Sequence, residues 1–295
     1  MHFRRMCSWL LAALIFNPAT TFALDGALGR ELEGIYAKYR QALTQQDTKG
    51  WLNLTARYRQ MSLRNQVVSQ GLPWPRAVFD LALKPPPPAG LKLIDATSQG
   101  EIARLCYYGK IDFNIPGEAA PDNALVIWFL REGATWKYNT LQYANLNADP
   151  DLKLRVANGD TSFLQQPEFA LPAQAPETPK PCEAPYHVAH LTVVAKGCRA
   201  TVTVNEVNEE IFDSIAANRT VIGGLRKGPN KIRITMTPAP GVPAEKTQLR
   251  VEITTPSGQP AKPETALFQW QFEPGKSTLP HEATLWGASK VSIGP

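Results

Sequence analysis

The chain has 295 residues, 43% of them hydrophobic, and a formal charge of +5 with no run of five or six basic residues. That content supports ordinary packed cores, which excludes a wholly disordered chain, and the spread of charge gives no reason to expect a nucleic-acid partner. The 26 prolines are concentrated in a few stretches, where they mark linkers.

Residues 1–23 have the three-part layout of a secretory signal peptide. Arg4 and Arg5 precede an apolar run over 9–16, and Thr21-Phe22-Ala23 places small residues where cleavage needs them. Cleavage is expected after Ala23, which places the mature protein in the periplasm or outside the cell. The apolar run spans about eight to ten residues, against roughly 20 for a membrane span, and no later stretch is long or apolar enough to span a membrane. Cys7 lies before that run, which argues against a lipid anchor. About 270 residues remain after cleavage, enough for two domains.

Cys106, Cys182 and Cys198 survive processing. In an oxidising compartment Cys182 and Cys198, enclosing a loop of about 17 residues, are expected to form a disulfide worth roughly 3 kcal/mol. Cys106 reads as a buried, inert thiol in a strand. His187 and His190 lack a partnering CxxC pair, so no metal site and no cofactor are expected.

Residues 25–71 read as helical. Leu28, Leu32, Ile35, Tyr36, Tyr39 and Leu43 fall at three- and four-residue steps. Asp47 suits the N-cap of a second helix that buries Trp51, Leu54, Tyr58 and Met61 and stops at Gly71 before Pro73 and Pro75. Pro85, Pro86, Pro87 and Pro88 read as a stiff extended spacer. The period then changes to two: Ala103, Leu105, Tyr107, Ile111 and Phe113 share one face, and Arg104, Tyr108, Lys110 and Asp112 the other. Residues 124–130 are apolar on both faces, which predicts a central strand covered on both sides. Glu132-Gly133 turns into a further strand over 135–145.

Residues 164–185 hold six prolines and little periodicity, and read as a linker. Beyond it, strands are expected at 191–194, 200–205, 231–236, 248–254 and 268–272, separated by turns such as 227–230 and 256–258. The expected fold is therefore an α+β domain over 25–163, with helices packed on a curved antiparallel sheet, a Pro-rich linker over 164–185, and an all-β sandwich over 186–295.

Asp47-Thr48-Lys49-Gly50-Trp51, the strand over 100–113 and the pair 123–130 and 136–137 follow a long first helix in an order that resembles the nuclear transport factor 2-like cone fold. That fold also hosts polyketide cyclases and steroid isomerases, and the resemblance implies a pocket between helix and sheet. Val202-Thr203-Val204-Asn205-Glu206 and the stretch 224–232 resemble exported immunoglobulin-like or galactose-binding-like sandwich domains. In them Gly228 and Asn230 suit a hairpin turn, while Val204 and Ile232 point inward. Fold alone carries no function.

If the cone pocket is open, Asp95, Asp112, Tyr107, Tyr108, Tyr143 and Cys106 are its candidate polar residues. Asp112 with Tyr108 is the best acid–base pair, on one strand face as proton transfer requires. Arg104 and Lys110 share that face, and a surface ion-pair ladder explains all four more simply. No G-x-S-x-G elbow occurs, and Gly223-Gly224 lacks the strand–glycine–helix context of a phosphate loop. Trp270 and Trp286, with Tyr186, Phe268 and Phe272, are candidates for a sugar-stacking platform, although aromatics on one sandwich strand normally form core. The sequence leans to a non-catalytic exported protein that binds a small ligand or an envelope protein. A small-molecule isomerase or cyclase and a carbohydrate-binding module are the alternatives.

Overall fold

A computed structural model describes residues 26–80, 85–111, 120–256 and 265–287. Asp112, Phe113 and the segment 1–23 lie outside the described residues. Those described form four α-helices and three four-stranded antiparallel sheets, so the chain is mixed α and β and mostly β.

Helix α1 (Gly26–Thr44) buries Leu32, Tyr36, Tyr39 and Leu43, the stripe set by their spacing. Asp47 caps α2 (Thr48–Leu54), accepting from Gly50 N at 3.0 Å. The helix expected to continue stops there, because Thr55 forms a bridge with Tyr138 and Ala56 N donates to Tyr138 O at 2.7 Å. The chain restarts as α3 (Arg57–Ser69), which buries Leu63, Asn65, Val67 and Ser69 in place of Tyr58 and Met61. The proline run lies along α1: Tyr36 Oη donates to Pro86 O and Arg40 Nε to Pro85 O, each at 2.9 Å.

Strands β1 (Lys92–Gln99), β2 (Ile102–Lys110), β3 (Asp122–Glu132) and β4 (Thr135–Asn145) pair in chain order. One face of this sheet packs Leu105, Tyr107, Ile127, Phe129 and Tyr138 against α1 to α3. The other packs Ile102, Cys106, Val126 and Trp128 against Leu146, Phe163, Leu164, Phe169 and Val156 of α4 (Pro150–Ala157). Burying each of these large side chains is worth roughly 1.5–3 kcal/mol, so the sheet is held from both sides. β3 is buried on both faces, as its apolar run predicts.

Arg104 does not stand in the surface ladder expected of β2. Arg104 is 3% exposed, because the chain from Leu146 to Phe169 covers its face. Its Nε lies 3.0 Å from Asp95 Oδ2 on β1, and its Nη1 donates to the carbonyls of Leu164 and Phe169. The arginine therefore spends its donors on internal acceptors, as a buried charge must.

Strands β5 (His190–Lys196), β6 (Cys198–Val204), β7 (Asn208–Asp213), β8 (Ala216–Thr220), β9 (Gly228–Pro238), β10 (Gln248–Thr255), β11 (Thr265–Gln271) and β12 (His281–Gly287) form two sheets, ordered β11-β10-β5-β8 and β12-β9-β6-β7. One apolar cluster joins them, with Leu191, Val193, Val251 and Ile253 from the first sheet and Val202, Phe212, Ile232 and Ile234 from the second. β7 and β8 are edge strands, consecutive in the chain.

Candidate binding cleft

Asp112 lies outside the described residues, and the other residues expected to line a cone pocket do not converge. Tyr108 is half-buried against the cluster around Cys106 and Ile94, on the face away from Tyr107. Tyr107 Oη donates to Glu33 Oε1 at 2.8 Å; burial and that carboxylate both push its phenol up from its ordinary range. Asp95 is taken up by Arg104 and by Thr97 Oγ1 at 2.9 Å. Cys106 is fully buried and burial pushes its thiol up, the opposite of an activated nucleophile. Tyr143 is 37% exposed. Between α1 and the sheet stand stacked tyrosines: Tyr39 on Tyr138 with centroids 3.8 Å apart, Tyr36 at 5.9 Å from Tyr138, and Phe129 edge-on at 6.4 Å.

Trp270 and Trp286 are not brought together. Trp270 is half-buried at the rim of the inter-sheet core, with His281 stacked on its ring at 4.8 Å. Trp286 stands five positions along β12 from that histidine, hence on the opposite face, and is 68% exposed. Phe272 is buried, and Tyr186 stands edge-on to His187 at 4.6 Å.

The expected disulfide is not formed: Cys182 and Cys198 are buried free thiols. His187 forms a bridge with Leu225, and the chain before it runs against α3, so Cys182 sits beside Ser69 at 3.6 Å while Cys198 opens β6 beside Gln248 O. Sequence separation suited a bridge, but the two sulfurs belong to different packing environments.

Cys182 lies instead in the wall of a cleft of about 1000 Å³ between α3, the segment 179–184 and the open side of the two C-terminal sheets. Asn65, 5% exposed on α3, clamps the extended segment: its Nδ2 donates to Lys180 O at 2.8 Å and its Oδ1 accepts from Cys182 N at 2.9 Å. Arg64 Nη1 donates to Cys182 O at 2.9 Å. One turn on, fully buried Ser69 donates to Asn65 O and accepts from Gly223 N at 2.7 Å. Gly223-Gly224 is thus a packing joint. A Cβ on Gly224 would lie 2.3 Å from Pro185 Cβ and 2.5 Å from His187 O, and its φ of +52° also favours glycine.

The opposite wall is built by the turn from β6 to β7. Asn205 and Glu206 take φ of 55° and 59°, the left-handed pair of a tight hairpin turn. Asn205 Nδ2 donates to Asn230 Oδ1 at 2.8 Å and its Oδ1 accepts from Lys231 N at 3.0 Å. Asn230, expected in a turn, is fully buried on β9: it also accepts from Arg226 N and donates to the carbonyls of Arg226, Gly228 and Leu285. The two segments read as sandwich strands therefore meet through these asparagines, and Val204 and Ile232 do point inward. Asn208, 2% exposed, accepts from Ile222 N at 2.8 Å, and its Nδ2 has no protein partner.

Glu206, Glu209 and Glu210 line the β7 side of the cleft, with Arg219 on β8 beyond them and Lys180 and Glu183 across it. Burial pushes the Glu210 carboxyl up, with Arg219 opposing. The described residues of the cleft offer charged side chains, amides and strand edges. Sequence reasoning missed Asn65, Ser69, Asn208 and Glu210. The available signal was the acidic, alternating stretch Val207-Asn208-Glu209-Glu210-Ile211. Compared with known proteins, the chain matches no family model, and no curated protein or solved structure resembles it significantly.

Proposed function

We propose that this chain is an exported, non-catalytic binding protein of the bacterial envelope, and that its binding site is the cleft between α3 and the β7–β8 edge. In this reading an α+β unit over 25–163 and a β-sandwich over 186–295 are joined by the proline-rich segment, and the cleft lies where they meet. The observation that carries it is the cleft itself: about 1000 Å³ walled by Asn65, Asn208 and Glu210, with Asn208 Nδ2 left unpartnered. The tyrosine stack under α1 gives the isomerase reading no support, and His281 on the ring of Trp270 gives the sugar-platform reading little.

The test is site-specific photocrosslinking in the native envelope. A photoreactive residue at Gln66, exposed in the cleft, is expected to capture a discrete species that the same residue at Leu154, exposed on α4, does not. Identical capture from both positions sinks the reading.

A further inference from the structure

We infer that the open edge of β7 takes up an extended, basic segment of a partner protein as an added antiparallel strand, an inference that rests on the cleft reading and names its occupant. β7 has β6 as its sheet neighbour on one side and ends its sheet on the other. An edge strand presents main-chain donors and acceptors outward, and proteins usually blunt such edges with lysine, proline or a bulge. β7 is short and has no lysine, proline or bulge, and the charges that mark its edge are carboxylates, which repel a like strand and admit a basic one: its register with β6 runs unbroken from Arg199↔Asp213 to Val204↔Asn208, and its sequence is Asn-Glu-Glu-Ile-Phe-Asp.

Large aliphatic side chains stand in the open here. Val207, Ile211 and Ile215 are 45%, 52% and 46% exposed. Alternation puts Glu209 and Ile211 on the outer face of the sheet, and Asn208, Glu210 and Phe212 toward the core, while Val207, in the turn before β7, lies toward Gly223 in the cleft wall. A strand added beside β7 continues the pleat, with its side chains about 5 Å from those opposite. Its outer-face residues then meet Ile211 and Glu209 in turn. The complementary pattern is aliphatic–x–basic.

Charge selects this occupant over a second copy of the chain. Glu206, Glu209, Glu210 and Asp213 stand within eight residues, and no lysine or arginine lies between Arg199 and Arg219. Arg199 lies opposite Asp213 and Arg219 acts on Glu210; Glu206 and Glu209 line the cleft and also an outer-face hollow with Lys231 and Arg233, of which Arg233 pairs with Glu282. Two such edges brought together repel, whereas a basic strand gains at each carboxylate. The cleft continues this edge, since 205–210 form one of its walls.

The test pans a random nine-residue peptide display library against the mature protein. Enrichment of aliphatic–x–Lys/Arg sequences is expected. A selected peptide should bind the Glu209→Lys variant at least about tenfold more weakly, regain affinity when its own basic residue becomes Glu, and slow amide exchange at 208–213 at least about tenfold. Glu209 is exposed, so this variant keeps the fold, which circular dichroism checks. Acidic or unpatterned selections, binding without protection of β7, or a dimer that Glu209→Lys dissolves would each overturn the inference. If Gln66 crosslinks a non-peptide species while no such peptide is selected, only this inference falls. If Gln66 captures nothing specific, the cleft reading falls with it.

Discussion

Ser69 on α3 accepts a hydrogen bond from the main-chain N–H of Gly223 at 2.7 Å, across 154 positions of sequence. Because Ser69 also donates to the carbonyl of Asn65, one hydroxyl fixes both the helix that holds the segment 180–182 and the glycine turn facing it. The cleft owes its width to this joint.

Ser69→Ala leaves the Gly223 N–H without its acceptor, and an unsatisfied buried group costs about 1–3 kcal/mol. Urea denaturation should show a loss of that order. A loss below about 0.5 kcal/mol, the range of ordinary surface substitutions, would show that water or another group takes the place of the hydroxyl.

Gly224→Ala should be more severe. The new Cβ meets Pro185 and the carbonyl of His187, and the backbone is left-handed. A destabilisation above about 2 kcal/mol is expected from strain and overpacking together. A melting temperature equal to the parent's would contradict the geometry of the turn.

The Arg104–Asp95 pair is buried on both sides. Arg104→Met strands the carboxylate and frees the carbonyls of Leu164 and Phe169, for a loss of about 3–5 kcal/mol. Adding Asp95→Leu should recover part of this loss and no more, since the two carbonyls stay unpaired. Full recovery would mean that those carbonyls contribute nothing.

Glu210 gives a pH dependence of definite sign. Burial raises its carboxyl above the ordinary 4.5, so the folded state holds the proton more tightly than the unfolded chain. Its contribution to stability is therefore greatest at low pH and declines as pH rises from the unfolded value through the folded one. Glu210→Gln should remove this decline and leave the protein at least as stable at neutral pH. A variant that loses stability at neutral pH would show the carboxylate held by Arg219 instead.

Free, buried thiols at Cys106, Cys182 and Cys198 imply slow reaction of the native protein with thiol reagents and full reaction on unfolding. Mass spectrometry of the protein after exposure to oxidant should find no Cys182–Cys198 bridge. A bridge there would mean that α3 and β6 approach in a way the packing around Ser69 and Gln248 does not allow.

Much of the fold was legible because its cause is local. The steps Leu32, Tyr36, Tyr39 and Leu43 set the buried stripe of α1, and the apolar run of β3 announced a strand covered on both faces. β1 went unread because Asp95, Thr97 and Ser98 break its alternation, and Asp95 becomes a core residue only once Arg104 is opposite it. β7 and β8 are short and polar, and edge position, invisible in sequence, permits that composition. The cleft was the least legible part. Asn65, Cys182, Asn208 and Gly223 come from separate segments, and their bonds run largely to main-chain atoms, which leave no side-chain motif.

The most direct measurement is amide hydrogen exchange on the protein with and without the species captured at Gln66. Slowed exchange concentrated at 180–183, 205–210 and 222–224 is the expected result. Slowing confined to α4, or to the outer face of β9 and β12 around Trp286, with these segments unchanged, would contradict a binding role for the cleft.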